Sequence, residues 1–318
     1  MGKLLVLLGP TATGKTDLGI LLAKKFNGEL IACDSRQVYK GLDIGTGKMP
    51  KSFVKVEKGE GFWAIDGIKI YCYDLVEPKK QYTVAEYIEM ATNAIEDILQ
   101  RDKLPIIVGG SGFYLRALLE GIPSLNIPVD KKIREELGKL SKEQLQSKLK
   151  VLDKGRWDRM NKSDRENPRR LLRSIELRLM NPYVNKVQAP NLKIKSYDVL
   201  KLGLTAPREN LYKNIDLRVF DWIRLGIILE AQNLYKAGLS LQRMRELGLE
   251  YAVLADYLSG KIRTEKKLTE LMQFRIHGYL RRQQTWFKKE KNVRWFDITK
   301  PHLLSDLEKE IRIWYDQR

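Results

Sequence analysis

A chain of 318 residues, 43% of them hydrophobic, can bury a substantial core, and its length points to two domains or to one domain carrying an insertion. No stretch approaches the roughly 20 apolar residues of a membrane span, and LLVLL runs into Gly9 and Pro10 without a secretory cleavage pattern. A cytoplasmic protein with no membrane association is therefore expected. Cys33 and Cys72 form no C-x-x-C pair, and with only His277 and His302 beside them neither a zinc site nor a disulfide framework is supported. The net charge of +18 is uneven: +1 over residues 1–129, +10 over 130–196 and +7 over 197–318. A concentrated basic block suits a surface that meets nucleic acid, although a solvated, Lys-rich helical face produces the same excess.

LLVLLG, ELIACD and LPIIVGG are short apolar runs bounded by Gly, Pro or Asp and read as buried strands. Helical patterns lie between them at about 14–26 and 83–101, the second with Val84, Tyr87, Ile88, Ala91, Ile95 and Ile98 at helical spacing. Residues 53–76 alternate in the manner of antiparallel strands. The whole predicts an α/β fold with a parallel sheet flanked by helices. PSLNIP then breaks the chain, and a Lys-, Arg-, Glu- and Leu-rich stretch reads as several helices, closed by NPYVNKVQAPNLKIK. VLKLGLTAP reads as a returning strand. Residues 122–196 are thus expected to form a helical insertion in a core made of 1–121 and 197–318, whose tail is mostly helical with a last strand at VRWFDI.

Gly9-Pro10-Thr11-Ala12-Thr13-Gly14-Lys15-Thr16 matches G-x-x-x-x-G-K-[ST] between a strand and a helix. Small residues let backbone N–H groups approach phosphate oxygens, and the helix N-terminus adds partial positive charge. Lys15 supplies a cation and Thr16 a hydroxyl for Mg²⁺. The core is accordingly expected to be P-loop NTPase-like, and the obvious ligand is ATP. The usual companion, an apolar strand ending in a Mg²⁺-binding Asp, is missing, because LPIIVGG ends in Gly109-Gly110-Ser111-Gly112. An acid does follow ELIAC: Asp34 stands at the carboxyl end of the second strand, where ligands gather in such sheets. It is either a cap for the segment that follows or a general base beside the phosphates.

GPTATGKT, DSRQVYKGLDIGTGK, VGGSGFYL, ENPRRLLRSIE, LYKNIDLR and RRQQTWF together resemble the bacterial tRNA dimethylallyltransferases, also called tRNA isopentenyltransferases, in order and approximate spacing over nearly the whole chain. The departures are VGGSGFY for VGGTGLY, GLEY for G-Y-K-E, and Ile276-His277 for Thr-Arg. Ser111 keeps the hydroxyl; His277 lacks the guanidinium.

The resemblance implies transfer of a dimethylallyl group from dimethylallyl diphosphate to N6 of adenine 37 in tRNAs that read codons beginning with U. The products would be N6-isopentenyladenosine and diphosphate. Gly9 to Thr16 would then hold the donor's diphosphate, with Mg²⁺ on Thr16, and Arg218 of LYKNIDLR would add a second cation able to grip two oxygens at once. A surface salt bridge to Asp216 or Asp221 is the alternative for Arg218. Asp34 would take the N6 proton. Asp34, Ser35, Arg36 and Gln37 would meet the adenine, since Gln suits its donor–acceptor edge. Ser111 and the stretch Arg169, Arg170, Leu171, Leu172 and Arg173 would contact tRNA, the arginines through phosphates. Trp286 is a core residue or a stacking platform, and Gln283, Gln284 and Thr285 are candidates to line the channel. A monomer with tRNA as partner is expected. Two rivals remain: a small-molecule or nucleoside kinase, which explains the loop but not DSRQVYKGLDIGT, and a non-catalytic RNA-binding ATPase module, which leaves Asp34 and Arg218 without work.

Overall fold

A computed structural model describes residues 2–50, 54–125, 127–181 and 193–316. They form two compact units, Met1–Leu118 with Ser196–Arg318, and Leu119–Lys195. The first unit opens with β1 (Lys3–Leu8), α1 (Lys15–Lys25) and β2 (Gly28–Cys33), then β3 (Val56–Gly59), β4 (Phe62–Ile65) and β5 (Ile68–Tyr71), then α2 (Val84–Gln100), β6 (Leu104–Gly109) and α3 (Gly112–Glu120). The second unit holds α4 (Lys131–Gly138), α5 (Lys142–Leu152), α6 (Lys154–Arg159), α7 (Lys162–Arg165) and α8 (Pro168–Met180). The chain returns with β7 (Asp198–Thr205), α9 (Arg208–Leu225), α10 (Ile227–Lys236), α11 (Leu241–Leu247), α12 (Leu249–Leu258), α13 (Glu265–Phe287), β8 (Val293–Asp297) and α14 (Leu303–Asp316).

The first unit is built on one eight-stranded sheet in the order β3-β4-β5-β2-β6-β1-β7-β8. Strands β5 to β8 in that order pair in parallel. Strands β1, β2 and β6 are apolar and buried almost throughout, as strands covered on both faces must be. The residues read as antiparallel form the β3-β4-β5 meander. Its second turn is Asp66-Gly67, with φ of 52° and 79°, the pair of positive angles that a two-residue hairpin turn requires. Helix α2 begins with a capping box between Thr83 and Glu86, which satisfies two otherwise orphaned N–H groups. No helix among the described residues is long and apolar enough to cross a membrane.

In the second unit, five short helices start on Asp130, Ser141, Asp153, Asn161 and Asn167, each accepting a backbone N–H. Capping at every start compensates for helices too short to be stable alone. Leu137, Leu145, Leu149, Met160, Leu171 and Ile175 form the core, with Leu172 packed against it. This corrects one expectation: the Leu171 side chain, fully buried, holds α8 in its unit and is not available to RNA, and Leu172 is a packing residue beside it. The segment around Pro182 and Pro190 expected to close the insertion lies outside the described residues.

Glu29 on β2 is 3% exposed. Its carboxylate accepts bonds from both terminal nitrogens of Arg101 at 2.8 and 2.6 Å and from Lys103 at 2.7 Å. Burial alone would raise its pKa, but the three hydrogen bonds win and hold it down to about 2. A carboxyl whose pKa is depressed on folding stabilises above its ordinary value of 4.5 and loses that contribution as pH falls towards 2. We predict that Glu29→Gln costs about 3 kcal/mol of unfolding free energy at pH 7. In denaturant titrations the gap to wild type should close between pH 4.5 and about 2; a gap independent of pH would show that packing, not charge, is lost.

Candidate active site

The phosphate loop leaves the sheet between β6 and β7. Gly9 is required there: its φ is 149°, and a Cβ would stand 2.4 Å from the Leu204 carbonyl oxygen on β7. Gly14, with φ of 73°, is the N-cap of α1, so the first-turn N–H groups of α1 face the loop. Three side chains from elsewhere in the chain hold it. Gln283 on α13 accepts from Thr11 N at 2.9 Å and donates to Gly110 O at 2.8 Å. Asn214 on α9 donates to Ala12 O at 3.2 Å. Arg218, one turn further along α9, donates to Thr11 Oγ1 at 3.3 Å.

Two cations converge on this loop. Lys15 Nζ donates to Pro10 O at 2.6 Å and to Thr13 Oγ1 at 3.2 Å. Burial, followed by repulsion from Arg218 and opposed by Asp34, pulls its pKa from 10.5 down to about 7. Arg218 lies over the Trp222 ring, 4.9 Å from its centroid, and against the backbone of Gly47, where a Cβ would come within 1.8 Å of its terminal nitrogen. Burial lowers its pKa as well. Arg218 therefore points into the site and is not a surface salt-bridge residue. The neighbouring Asp216 instead sits 2.9 Å from His277 Nε2, and His277 stacks on Tyr212 with centroids 4.1 Å apart. His277 thus belongs to a Tyr-His-Asp cluster of its own.

Asp34 Oδ1 accepts from Arg36 N at 2.8 Å, so it does cap the turn after β2, and Oδ2 has no hydrogen-bond partner among the described residues. Ser111 Oγ accepts from Ser35 N at 3.3 Å, and Gln37 Nε2 donates to Thr46 O at 3.1 Å. A cavity of about 850 Å³ contains residues 11–16 and Asp34, and a second of about 360 Å³ contains Ser35, Arg36, Glu250 and Arg282. Thr11, Asp34, Thr46, Arg218, Trp222 and Tyr279 border both. The cations of the loop and the Asp34 carboxylate therefore serve one continuous lining.

Three participants escaped the sequence reading in part or whole. Glu250 is 4% exposed; burial, with Asp34 adding to it, pushes its carboxyl up to about 7 against Arg36 and Arg218. It starts α12 inside a mostly apolar run, where nothing in the pattern marks it. Gln283 was a channel candidate, but its signal did not reveal the bridge to Thr11 and Gly110. Gly47 shows its role only through Arg218. Trp286 packs on Gly112, where a Cβ would lie 2.3 Å from its ring, and meets Phe287 edge-on, as expected of a structural tryptophan.

The residues fit a divalent cation of the Mg²⁺ kind. Such an ion takes one or two protein oxygens and completes its shell with water and phosphate, and the Thr16 hydroxyl, which lines the larger cavity, can supply one. Among the described residues there is no cluster of three His, Cys, Asp or Glu able to hold a metal unaided. In the helical unit the three arginines divide. Arg170 pairs with Asp164, while Arg173 donates to Ile127 O and Glu176 at 2.8 Å each and so anchors its own unit. Arg169 is exposed, with no side-chain partner among the described residues.

The model of the IPP transferase family matches residues 37–290, and that of an isopentenyl transferase family matches residues 2–66. The tRNA dimethylallyltransferase of Geobacillus thermodenitrificans is 36% identical over 315 residues, covering 97% of this chain and 95% of its own. That of Anoxybacillus flavithermus is 36% identical over 303 residues, covering 93% and 91%. The crystal structure of the tRNA isopentenylpyrophosphate transferase of Bacillus halodurans is similar with a TM-score of 0.69 at 30% identity, covering 100% of this chain and 98% of that one. A eukaryotic dimethylallyltransferase acting on tRNA gives a TM-score of 0.75 at 26% identity, covering 99% and 79%.

A site whose lysine titrates near 7 must change protonation when an anion arrives. At pH 8 most of Lys15 is neutral, and a bound polyanion favours the ammonium form. Calorimetry of inorganic pyrophosphate binding at pH 8 in buffers of different ionisation enthalpy should therefore report close to one more proton taken up by wild type than by Lys15→Met, a difference that vanishes at pH 6. Equal uptake in Lys15→Met would place the proton elsewhere.

Proposed function

The chain belongs to the IPP transferase family, and on that premise we propose that it transfers a dimethylallyl group from dimethylallyl diphosphate to N6 of adenine 37 in tRNAs that read codons beginning with U. The products are N6-isopentenyladenosine and diphosphate. One observation carries the reading: the cationic loop and the Asp34 carboxylate border the same lining, with Arg218 and Thr11 on the walls common to both cavities.

The donor's diphosphate takes the loop from Gly9 to Thr16, against Lys15, Arg218 and the N–H groups of the first turn of α1. Thr16 would hold Mg²⁺, which when bound would supply further neutralisation of the leaving group. The bond between C1 of the donor and the diphosphate oxygen breaks, its electrons leaving with the diphosphate. Preformed charges that already point at those oxygens favour that moment without reorganising. The new bond joins C1 to N6 of adenine, a weak nucleophile because its lone pair is delocalised into the ring. Asp34, whose second oxygen is uncommitted, accepts the N6 proton as the bond forms.

The adenine must leave its stack to reach this point. Ser35, Arg36 and Gln37 stand on the turn that Asp34 caps, with Ser111 behind Ser35, and suit a role in holding the base. The helical insertion meets the tRNA backbone, chiefly through Arg169, whose guanidinium is uncommitted; Arg170 and Arg173 shape that surface. The enzyme works as a cytoplasmic monomer.

Labelled dimethylallyl diphosphate and labelled ATP, each offered with unmodified tRNA carrying A36 and A37, decide the reaction class. Label should enter tRNA from the prenyl donor alone; entry only from ATP would defeat the proposal. Asp34→Asn should retain pyrophosphate and tRNA binding while turnover falls by about 10²–10⁴, and an equal collapse of tRNA binding would make Asp34 a positioning residue. Separately, Arg169→Ala should reduce the slope of log affinity for tRNA against log salt by about 0.7–0.9. An unchanged slope would remove Arg169 from the interface.

A further inference from the structure

The segment Gly41–Lys48 stands between the donor's arginine and the turn that carries Gln37, and it is turned back on itself by bonds from Gly47 N to Ile44 O at 2.9 Å and from Lys48 N to Asp43 O at 3.0 Å. Gly47 backs directly onto Arg218, and the Thr46 carbonyl accepts from Gln37. Its position therefore sets two groups of the site at once. The loop is held at two further places, one through its own last residue and one from outside. Lys48, 1% exposed, donates to Tyr39 O at 2.9 Å and pairs with Asp43 at 2.8 Å and with Asp74. The other anchor comes from α10. Glu230 Oε2 accepts from Asp43 N at 2.9 Å and Ile44 N at 2.7 Å. Its Oε1 accepts from Gly45 N at 3.4 Å and from the Tyr251 hydroxyl at 2.7 Å.

Three successive backbone N–H groups turned onto one carboxylate make a small anion-binding concavity, filled here by the protein's own side chain. Charge-assisted bonds of this kind are about twice as strong as neutral ones. Tyr251 is itself completely buried and lies where a Cβ on Gly45 would come within 2.8 Å of its hydroxyl, so the assembly has little room to shift. Glu230 lines neither cavity. Whatever it does for the reaction it does through the loop.

We propose that Glu230 is a positioning residue for the donor site: by fixing the backbone of residues 43–45 it sets Gly47 against Arg218 and thereby aims the guanidinium at the diphosphate. The inference rests on the reading that Arg218 holds the donor's diphosphate. Both carboxylate oxygens are needed, because each accepts from two donors. A carboxamide would present an N–H₂ towards Gly45 N–H and release that end of the loop.

Binding of inorganic pyrophosphate with Mg²⁺ to the full chain, measured by calorimetry, tests this. Glu230→Gln should weaken binding about tenfold, with the far-ultraviolet circular dichroism unchanged. In an Arg218→Gln background the same substitution should add almost nothing, since its effect passes through that side chain. Gly47→Ala, which strikes Arg218 directly, should weaken binding at least as much, again without effect in the Arg218→Gln background. Tyr251→Phe keeps the carboxylate and one fewer donor, and should cost about threefold, providing a milder variant if Glu230→Gln fails to fold. Unchanged affinity in folded Glu230→Gln, or an equal loss with and without Arg218, would overturn the proposal while leaving the donor site intact. Wild-type protein that fails to bind pyrophosphate would overturn the donor-site reading and this inference together.

Discussion

Two positive charges held close together on one loop are the constraint that the first unit is arranged around. Gly47 and Trp222 lie against Arg218, while Pro10 O and Thr13 Oγ1 accept from Lys15. Burial first, and repulsion from Arg218 second, draw the lysine's pKa down to about 7. Desolvation penalises a charge unless a partner is present. In the proposed reaction the donor's diphosphate restores the ammonium form on arrival, and a preformed charge of this kind can act on the leaving group without reorganising.

The fold supplies this arrangement through chain topology. The loop after β1, the turn after β2 and the turn after β6 all lie at the same edge of the sheet because the three strands are parallel and adjacent in the order β2-β6-β1. Helices α9 and α13 then bring Asn214, Arg218 and Gln283 across from the far end of the chain, the last of these bridging 272 positions to Thr11. Each strand-end turn is short and polar, and its own bonds, such as Arg36 N to Asp34 and Thr13 Oγ1 to Pro10 O, are few. They are held by single side chains from helices that are anchored elsewhere, Gln283, Asn214 and Glu230 among them.

That division explains what could be read from the sequence. Strands β1, β2 and β6 are local patterns of burial, and GPTATGKT is a local pattern of backbone freedom, so both are legible in a few residues. The antiparallel meander is legible too, through alternation and its Asp-Gly turn. Gln283, Glu230 and Glu250 are not, because each is defined by a partner far away in sequence: a lone Gln, or a Glu in a helix, reads as solvated until tertiary structure buries it. Leu171 shows the converse error. It stands among arginines in a stretch similar to one that contacts RNA, but it shares a helix face with Ile175, and the hydrophobic period decided where it points. Arg218 needed both kinds of knowledge, since its neighbours Asp216 and Asp221 offered it a plausible surface partner.

The missing acid at the end of β6 has a physical reason. A Cβ on Gly109 would lie 2.1 Å from the Cys33 carbonyl oxygen, and one on Gly110 would lie 2.6 Å from the Gln283 amide nitrogen. A carboxylate at Gly109 would strike backbone, and one at Gly110 would displace the Gln283 amide that holds Thr11. The nearest acid at a strand end is Asp34, one strand further out on β2. Adjacent strands are about 4.8 Å apart, which places the two strand ends carrying loop and acid roughly 10 Å from each other. An acid on β6 would stand within reach of a metal at the phosphates, as an enzyme that cleaves a phosphorus–oxygen bond needs. Moved to β2, it leaves a gap of the right order for a leaving oxygen, the carbon C1 and an incoming nitrogen in line. In the proposed reaction the same two glycines that exclude the metal-binding acid therefore make the space in which carbon is transferred.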